Sequence, residues 1–311
     1  MKLQQLRYIC VVAQHDLNVS EAAQVLHTSQ PGVSKQIRML ESELGTQIFT
    51  RAGKRFVEIT PPGEAVLEMA RRIVHDIDNL KNIGREFAHE TKGTLSIATT
   101  HTQARYALPH AIEAFRKRYP EVALRIHQGN PSQIVDMVNS GEADIAIATE
   151  AVAESDHLIA LPCYDWNRSV VVTQKHALLR LRRKLTLADI AAYPLITYDF
   201  AFAGRGQVNK AFADQGLLPN VVLTAIDADV IKTYVELGLG IGLLASMAFD
   251  PKVDRKLRAI DASHLFEPST TRVGVRKGAY LRSFVYDFIA LFAPHLNRGK
   301  IEKVLRAGAV G

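Results

Sequence analysis

Residues 18–44 read NVSEAAQVLHTSQPGVSKQIRMLESEL, and this stretch decides the fold of the N-terminal part of the chain. Asn18, followed three residues later by Glu21, is typical of a capped helix start. After a short turn, Thr28 or Ser29 can cap a second helix. The stretch therefore predicts two helices joined by a tight turn.

Apolar residues give each of these helices one side that faces a core. In the second helix they recur at helical spacing along a single stripe. The predicted buried residues are Ala22, Ala23, Val25 and Leu26 in the first helix, and Val33, Ile37, Leu40 and Leu44 in the second.

The opposite face of the second helix carries no acidic residue before Glu41. Its amide, hydroxyl and cationic groups can reach base edges and phosphates in a DNA major groove. The alternative is an ordinary solvated helix face, but two capped helices followed by a hairpin favour a helix-turn-helix. The predicted DNA-contacting residues of this face are Ser29, Gln30, Pro31, Ser34, Lys35 and Arg38.

A short hairpin with a cationic tip is predicted next, from the β-prone runs 47–50 and 56–59. Arg51, Lys54 and Arg55 lie between these runs. Such a wing can lie along the sugar-phosphate backbone and position the protein without reading sequence. A basic turn without function is the alternative.

Composition indicates a globular protein of two or three domains, since 47% of the 311 residues are hydrophobic and 23% are charged. The formal net charge of +6 suits a polyanionic partner. Residues 1–91 nevertheless hold as many acidic as basic residues. The placement of the charges, not their sum, therefore supports DNA binding.

Cys10 and Cys163 are the only cysteines, which excludes a disulfide framework and a multi-cysteine zinc site. The apolar patch 8–13 is too short for a signal peptide, and no stretch approaches the roughly 20 apolar residues of a membrane span. We expect a cytoplasmic protein without membrane contact.

A long helix is predicted to begin at Thr60, which precedes two prolines. Its apolar positions alternate spacings of four and three, as in a coiled-coil seam, which predicts a dimerisation helix. The alternative is an amphipathic helix packed on its own domain. The seam comprises Val66, Ala70, Ile73, Ile77, Leu80, Gly84 and Phe87.

From Thr94 onward, short apolar strands alternate with helices, which predicts a parallel α/β sheet. Residues from Trp166 to about Phe266 repeat this pattern and predict a second lobe. Crossings near Pro162 and Glu267 would enclose a hinged cleft. The predicted strands are 95–99, 123–127, 144–148, 169–173, 195–198, 221–224, 241–245 and 272–275, and the helices include 108–119, 132–140 and 281–292.

Hydroxyl groups and a helix start coincide at residues 99–105, where a strand ends. Free backbone N–H groups and neutral donors there suit a small anion or carboxylate. Thr149 ends another strand of the same sheet, at the edge where ligands collect in open α/β folds. Helix capping alone would explain one or two of these residues.

No catalytic or cofactor motif is present. Gly238, Gly240 and Gly242 follow a predicted helix, whereas a dinucleotide loop precedes one. The 11 histidines show no paired metal-ligand spacing, and His101 is interpreted as a polar rim residue. We therefore expect neither enzyme activity, nor a cofactor, nor a metal.

The N-terminal pattern resembles that of LysR-type transcriptional regulators, and the resemblance spans the chain. It implies a winged helix-turn-helix over residues 1–59, a linker helix over 60–91 and a two-lobed, periplasmic-binding-protein-like effector domain over 92–311. Lobe I would comprise about 92–162 and 268–311, lobe II about 163–267, and the assembly would be a homotetramer. The matching residues are Ala22, Ala23, Leu26, Ser29, Gln30, Pro31, Val33, Ser34, Ile37, Leu40, Glu41, Leu44, Gly45, Phe49 and Arg51.

Within that family, the strings at 99–106, 161–164, 166–168 and 227–234 resemble the CysB-like regulators of sulfur assimilation and cysteine biosynthesis. The resemblance implies promoter DNA as partner, with RNA polymerase a further candidate, and N-acetylserine or O-acetylserine as inducer. Sulfate, thiosulfate or sulfide would be related or opposing ligands. The pocket would be lined by Thr100, Thr102, Gln103, Thr149, Trp166, Phe202 and Ala203.

Two residues depart from the CysB-like pattern. Ala203 stands where these proteins usually carry threonine, and one lost neutral hydrogen bond is worth roughly 0.5–1.5 kcal/mol, a several-fold change in affinity. Asp199 replaces an uncharged residue and would repel an anion. A related LysR-type regulator of the sulfate-starvation type, with another small-anion effector, is therefore the first alternative. An anion-binding protein or enzyme with an incidental helix-turn-helix is the second.

Overall fold

The computed structural model describes residues 1–53, 55–87, 92–199 and 205–308. The chain divides into two compact units, Met1–His89 and Glu90–Gly311, which are described separately. Of the predicted site residues, Lys54, Phe202 and Ala203 lie outside the described residues.

The first unit consists of three short helices, a hairpin and a long helix. Its core is formed by the apolar faces of the helices together with Ile48, Phe49 and Phe56 of the hairpin region. The elements are α1 (Leu3–Gln14), α2 (Val19–Val25), α3 (Gln30–Leu44), β1 (Phe49–Ala52), β2 (Arg55–Ile59) and α4 (Pro61–Phe87).

Both predicted helix starts are confirmed. The Asn18 side chain accepts the backbone N–H groups of Ser20 and Glu21, and the Ser29 hydroxyl accepts the N–H of Gly32. These bonds satisfy N–H groups that have no partner inside a helix.

The buried stripe is only partly as predicted. Val33, Ile37 and Leu40 are fully buried, but Val25 and Leu44 are 52% and 40% exposed, so their predicted burial is wrong. Each is the last residue of its helix, where the chain turns away from the core.

The hairpin begins later than predicted, because β1 starts at Phe49 rather than at residue 47. Its turn is also tighter. Ala52 pairs with Arg55, so only residues 53 and 54 lie between the strands. Gly53 has a φ of 64°, a conformation that glycine adopts without steric cost.

A buried carboxylate joins the end of α3 to this hairpin. Oε1 of Glu41 accepts the backbone N–H groups of Ile48 and Phe49 at 3.0 and 3.2 Å, and Oε2 lies 2.6 Å from the guanidinium of Arg51. Glu41 is 8% exposed. The hairpin therefore keeps a defined position relative to α3.

The first half of the long helix α4 packs against the core of its own unit. The Thr60 hydroxyl accepts the N–H of Gly63, and Leu67 and Ala70 are 1% exposed in the core. Further along, Ile77 is half-buried and Leu80 is 66% exposed. The second half of the helix thus carries apolar side chains that its own unit does not cover.

The first lobe of the second unit is a five-stranded sheet of order β4-β3-β5-β12-β6. Strands β3, β4 and β5 are parallel, whereas β12 is antiparallel to β5 and to β6. The strands predicted at 95–99, 123–127 and 144–148 are therefore parallel, as predicted, and the strand predicted at 272–275 returns to this lobe. It runs antiparallel, because the chain returns from the second lobe beside β6, the strand by which it left. The strands are β3 (Gly93–Thr99), β4 (Val122–Gln128), β5 (Ile145–Ala148), β6 (Leu158–Trp166) and β12 (Ser269–Arg276).

The second lobe is a five-stranded sheet of order β11-β7-β10-β8-β9. Sequence analysis missed β11, of which only Leu257 is buried. It also placed the first crossing too early: β6 continues through Pro162, beside a register shift, to Trp166. The strands are β7 (Arg168–Thr173), β8 (Leu195–Tyr198), β9 (Val221–Ala225), β10 (Ile241–Ala245) and β11 (Leu257–Asp261).

Helices cover both sheets, and within the described residues none is long and apolar enough to span a membrane. A π-helical turn, Gln103–Ala107, leads into α5. The glycine-rich segment 238–242 ends a helix and enters β10, as predicted. The helices are α5 (Leu108–Arg118), α6 (Pro131–Asn139), α7 (Glu150–Glu154), α8 (Leu187–Ala191), α9 (Arg205–Asp214), α10 (Ala228–Glu236), α11 (Ser283–Phe292) and α12 (Arg298–Gly308).

Replacing the buried carboxylate tests the junction between α3 and the hairpin. We expect Glu41→Ala to lower the free energy of unfolding by roughly 2–4 kcal/mol, because two backbone N–H groups and a guanidinium lose their acceptor. Urea unfolding measures this loss. Glu43→Ala, which removes an exposed carboxylate from the same helix, is the control and should cost less than about 1 kcal/mol. Equal losses in the two variants would contradict the assigned role.

Candidate functional site

The face of α3 predicted to read DNA is open to solvent. Gln30, Pro31, Lys35 and Arg38 are exposed, and Ser34 is half-buried. The opposite stripe is buried, so packing fixes which side of the helix faces outward. Glu41, the first acid after this face, is turned into the core and adds no exposed negative charge.

The other residues predicted to contact DNA differ in their exposure and in whether they already have a partner within the protein. Arg55 is exposed on β2, whereas Arg51 is paired with Glu41 and its guanidinium lies 4.5 Å from the centre of the Phe56 ring. The Ser29 hydroxyl is occupied by the helix cap. Arg51 therefore has a structural role within the unit, and Arg55 is the described wing cation with an exposed side chain.

The second predicted site lies at one edge of the first-lobe sheet. Thr99 pairs with Ile147, so Thr100 and Thr149 follow the ends of two neighbouring parallel strands. β12 enters this edge antiparallel, and Ser269 pairs there with Trp166. The sheet thus brings Thr100, Thr149 and Trp166 to the same edge.

Both polar atoms of the Gln103 amide are hydrogen-bonded. Its Nε2 donates to the Thr271 hydroxyl at 2.9 Å, and its Oε1 accepts from the Tyr164 hydroxyl at 2.5 Å. All three side chains are within the first lobe, and Gln103 is 3% exposed. Gln103 therefore positions the start of the helix.

Thr102 connects this edge to the second lobe. Its side chain lies near the hydroxyl of Tyr198, whose pKa burial raises to about 12. Tyr198 ends β8 and is 4% exposed, and its hydroxyl also lies 3.4 Å from the backbone nitrogen of Ala245. A neutral hydroxyl is therefore present at the cleft at any physiological pH.

A buried arginine lies beside Trp166 where the chain crosses between lobes. Arg168 is 2% exposed and donates to the Glu267 carbonyl and to the Ser269 hydroxyl, while burial lowers its pKa. Its guanidinium is 5.2 Å from the centre of the Trp166 ring. The Trp166 Nε1–H is buried and has no acceptor among the described residues. An unsatisfied buried donor of this kind favours an acceptor group in the cleft.

Glu150 introduces a carboxylate that sequence analysis did not identify. It accepts a hydrogen bond from the Thr149 hydroxyl and lies 3.4 Å from that of Ser269. Its position next to Thr149 in the sequence was the available signal. Asp199, by contrast, is exposed and bonded to Thr224. Glu150 is half-buried and Asp199 is exposed, so water screens the charge of Asp199 more than that of Glu150.

One group of possible metal ligands occurs among the described residues. Ligand atoms of His101, Asp227 and Asp229 lie within 4.8 Å of one another. Asp229, however, already contacts the cations Lys232 and Arg105. Two cations beside the carboxylate oppose the binding of a metal ion, so this group is not assigned as a metal centre.

Nearly the whole chain is similar to known proteins. Residues 3–64 match the family described as bacterial regulatory helix-turn-helix protein, lysR family, and residues 88–297 match the LysR substrate binding domain. The chain belongs to the LysR family of transcriptional regulators. Members of this family bind promoter DNA and small-molecule effectors, form oligomers and are not enzymes.

Regulators named CysB, SsuR and Cbl are similar to this chain over most of its length. The chain is 52% identical over 309 residues to the regulator CysB of Burkholderia cenocepacia, covering 99% of this chain and 98% of that one. It is 52% identical over 306 residues to SsuR of the same organism, covering 98% and 99%. The crystal structure of the cofactor-binding domain of the Cbl regulator has a TM-score of 0.67 and 44% identity, covering 70% of this chain and 94% of that one.

Neutralising the cations of α3 tests the DNA-reading face. We expect Lys35→Ala with Arg38→Ala to weaken promoter binding and to reduce the slope of log affinity against log salt by about 2, since each phosphate contact contributes about 0.9. Salt-dependent binding titrations measure the slope. Lys117→Ala, on an exposed residue of α5, is the control. A slope unchanged in the double variant would contradict the assignment.

Proposed function

We propose that this protein senses a small sulfur-related metabolite and activates genes of sulfur assimilation and cysteine biosynthesis. The inducer is N-acetylserine or O-acetylserine, and sulfate or thiosulfate binds the same unit. The observation that carries this proposal is the sheet edge at which Thr100, Thr149 and Trp166 all lie, together with the buried indole N–H of Trp166, which has no acceptor among the described residues. The protein acts in the cytoplasm.

Neutral hydrogen-bond donors at a helix start support a small anion or carboxylate as ligand. The first N–H groups of the helix that begins at residue 101 have no partner within the helix. Together with the Thr100 hydroxyl and the Trp166 N–H, they can surround the oxygens of a carboxylate or sulfate. A site built from neutral donors binds an anion without the desolvation of a second charge.

The charged groups nearby modify this preference. Arg168 is buried behind Trp166, and Glu150 adds a carboxylate at the edge. A carboxylate favours a ligand that also carries a cation, so O-acetylserine, with its ammonium group, is better matched than sulfate. In this proposal, which effector binds best depends on the carboxylate of Glu150 and on the hydroxyl that Ala203 lacks.

In this proposal, the protein forms a dimer through α4 and then a tetramer. The uncovered apolar side chains of its second half, including Leu80, pair with those of a second copy, and further contacts produce a tetramer. Paired helices place two α3 helices on neighbouring half-sites. In this proposal residues 1–59 bind DNA, 60–91 form the linker and 92–311 bind the effector.

A second candidate is a related LysR-type regulator of the sulfate-starvation type, with another small-anion effector. The equal identity of the chain to CysB and SsuR supports it. Effector titration separates the two candidates. A response of DNA binding to acetylserines favours cysteine biosynthesis, whereas a response only to another small anion favours the second candidate.

Removing one hydroxyl tests the effector edge. We expect Thr100→Val to lower the affinity for N-acetylserine by about 2–10-fold, because one neutral hydrogen bond is lost. Isothermal calorimetry measures the affinity, and basal promoter binding should stay the same. Thr270→Val is the control: its hydroxyl donates to Asp165, and it alternates with Ser269 and Thr271 along β12. Unchanged affinity in Thr100→Val would show that the pocket is elsewhere.

Neutralising Glu150 tests the electrostatic argument. We expect Glu150→Gln to raise the affinity for sulfate several-fold and to lower that for O-acetylserine, because both the repulsion and the ammonium partner are removed. Calorimetry with the two ligands measures the ratio. Asp199→Asn, an exposed carboxylate, should change the ratio little. If both affinities moved in the same direction, the proposed role of Glu150 would be wrong.

A further inference from the structure

Polar side chains connect the two lobes next to the π-helical turn, where Arg105 and Tyr106 both contact Asp229. We call four of them the interlobe latch: Tyr106, Asp229, Lys232 and Asp254. Tyr106 belongs to the π-helical turn of the first lobe, and the other three belong to the second lobe. The Tyr106 hydroxyl donates to Oδ1 of Asp229 at 2.7 Å and accepts from Nζ of Lys232 at 3.1 Å.

Lys232 makes the latch more than a surface contact, because its side chain is only 8% exposed. A buried ammonium needs acceptors for its three N–H groups. Nζ lies 3.0 Å from Asp254, 3.0 Å from the Ala248 carbonyl and 3.1 Å from the Tyr106 hydroxyl. If the lobes separated, Lys232 would lose the Tyr106 hydroxyl as an acceptor and would keep those of the second lobe, which include Asp229 at 3.2 Å.

Both charged partners of Tyr106 keep their charge near neutral pH. Burial alone lowers the pKa of Lys232, but its bonds to Tyr106 and Asp254 outweigh burial and raise that pKa. Burial raises the pKa of Asp229, but bonds to Tyr106 and Lys232 lower it overall. The contacts across the cleft are therefore charge-assisted and stronger than neutral hydrogen bonds.

The latch is continuous with the effector edge through one short segment. Tyr106 and Gln103 share the π-helical turn Gln103–Ala107, and Thr102 directly precedes it. Gln103 is fixed to Thr271 and Tyr164, so this turn cannot shift freely within the first lobe. A change at Tyr106 therefore alters the distance between the lobes and the geometry around Thr102.

We propose that the interlobe latch sets the separation of the two lobes and thereby the affinity of the effector edge. Tyr106 is a positioning residue: it acts through Asp229 and Lys232 and does not touch the effector. The effect on affinity rests on the proposed function, whereas the effect on lobe separation does not. The test therefore measures the two separately.

The variant is Tyr106→Phe, with Asp229→Asn as a second variant that removes the charge of the acceptor in the other lobe, together with its ion pairs to Lys232 and Arg105. The control is Tyr119→Phe, which removes a tyrosine–aspartate bond, to Asp287, within the first lobe. Spin labels at Arg116→Cys in α5 and Lys210→Cys in α9, both exposed positions, report the distance between lobes. Cys10 and Cys163 are buried, so labelling is selective.

Labelled chains diluted into unlabelled protein give the interlobe distance by pulsed electron paramagnetic resonance. We expect Tyr106→Phe and Asp229→Asn to lengthen and broaden this distance and to weaken sulfate binding roughly ten-fold, with Tyr119→Phe changing neither. An unchanged distance in both latch variants would overturn the latch.

The second measurement is the sulfate affinity, determined by calorimetry. It tests the claim that the latch sets the affinity of the effector edge. A longer distance with unchanged sulfate affinity would overturn the role of the latch in effector binding. Absence of sulfate binding by the unmodified protein would overturn sulfate as a ligand of this unit and, with it, the claim about affinity. In that case the distance measurement would still decide whether the latch holds the lobes.

Discussion

The effector-binding unit depends on a buried guanidinium at the point where the chain crosses between its two lobes. Arg168 is 2% exposed and lies between the rings of Trp166 and Phe266. Its bonds to the Glu267 carbonyl and the Ser269 hydroxyl join the outgoing and returning crossings. A buried charge with hydrogen-bonding partners is costly to disturb, so both crossings are held together. The candidate effector edge inherits its geometry from this junction.

A buried charge fixes the geometry of the DNA-binding unit in the same way. Glu41 holds Ile48, Phe49 and Arg51 against the end of α3. The apolar stripe of α3 is buried, so the face carrying Lys35 and its neighbours is the one left for DNA. In each unit, a single internal charge determines where the exposed functional groups lie.

Local signals in the sequence predicted much of the fold, because caps and periodicity depend on neighbouring residues. Asn18 and the stripe of α3 were sufficient for the helix-turn-helix. The joint position of Thr100 and Thr149 followed from the rule that parallel strands end at one sheet edge. The antiparallel pairing of β6 with β12, the contact of Glu150 with Ser269 and that of Tyr198 with Ala245 were not predictable. These contacts join residues far apart in the chain, and no local pattern encodes them.

Ligand response requires that the effector and promoter sites be energetically coupled, and coupling is reciprocal. The most direct test is to measure N-acetylserine affinity on the free protein and on the protein bound to a cysteine-biosynthesis promoter. Promoter affinity is measured with and without N-acetylserine. If the two sites are coupled, both affinities change by the same factor, in the range of about 5–150-fold. Equal N-acetylserine affinity for free and promoter-bound protein would contradict this coupling.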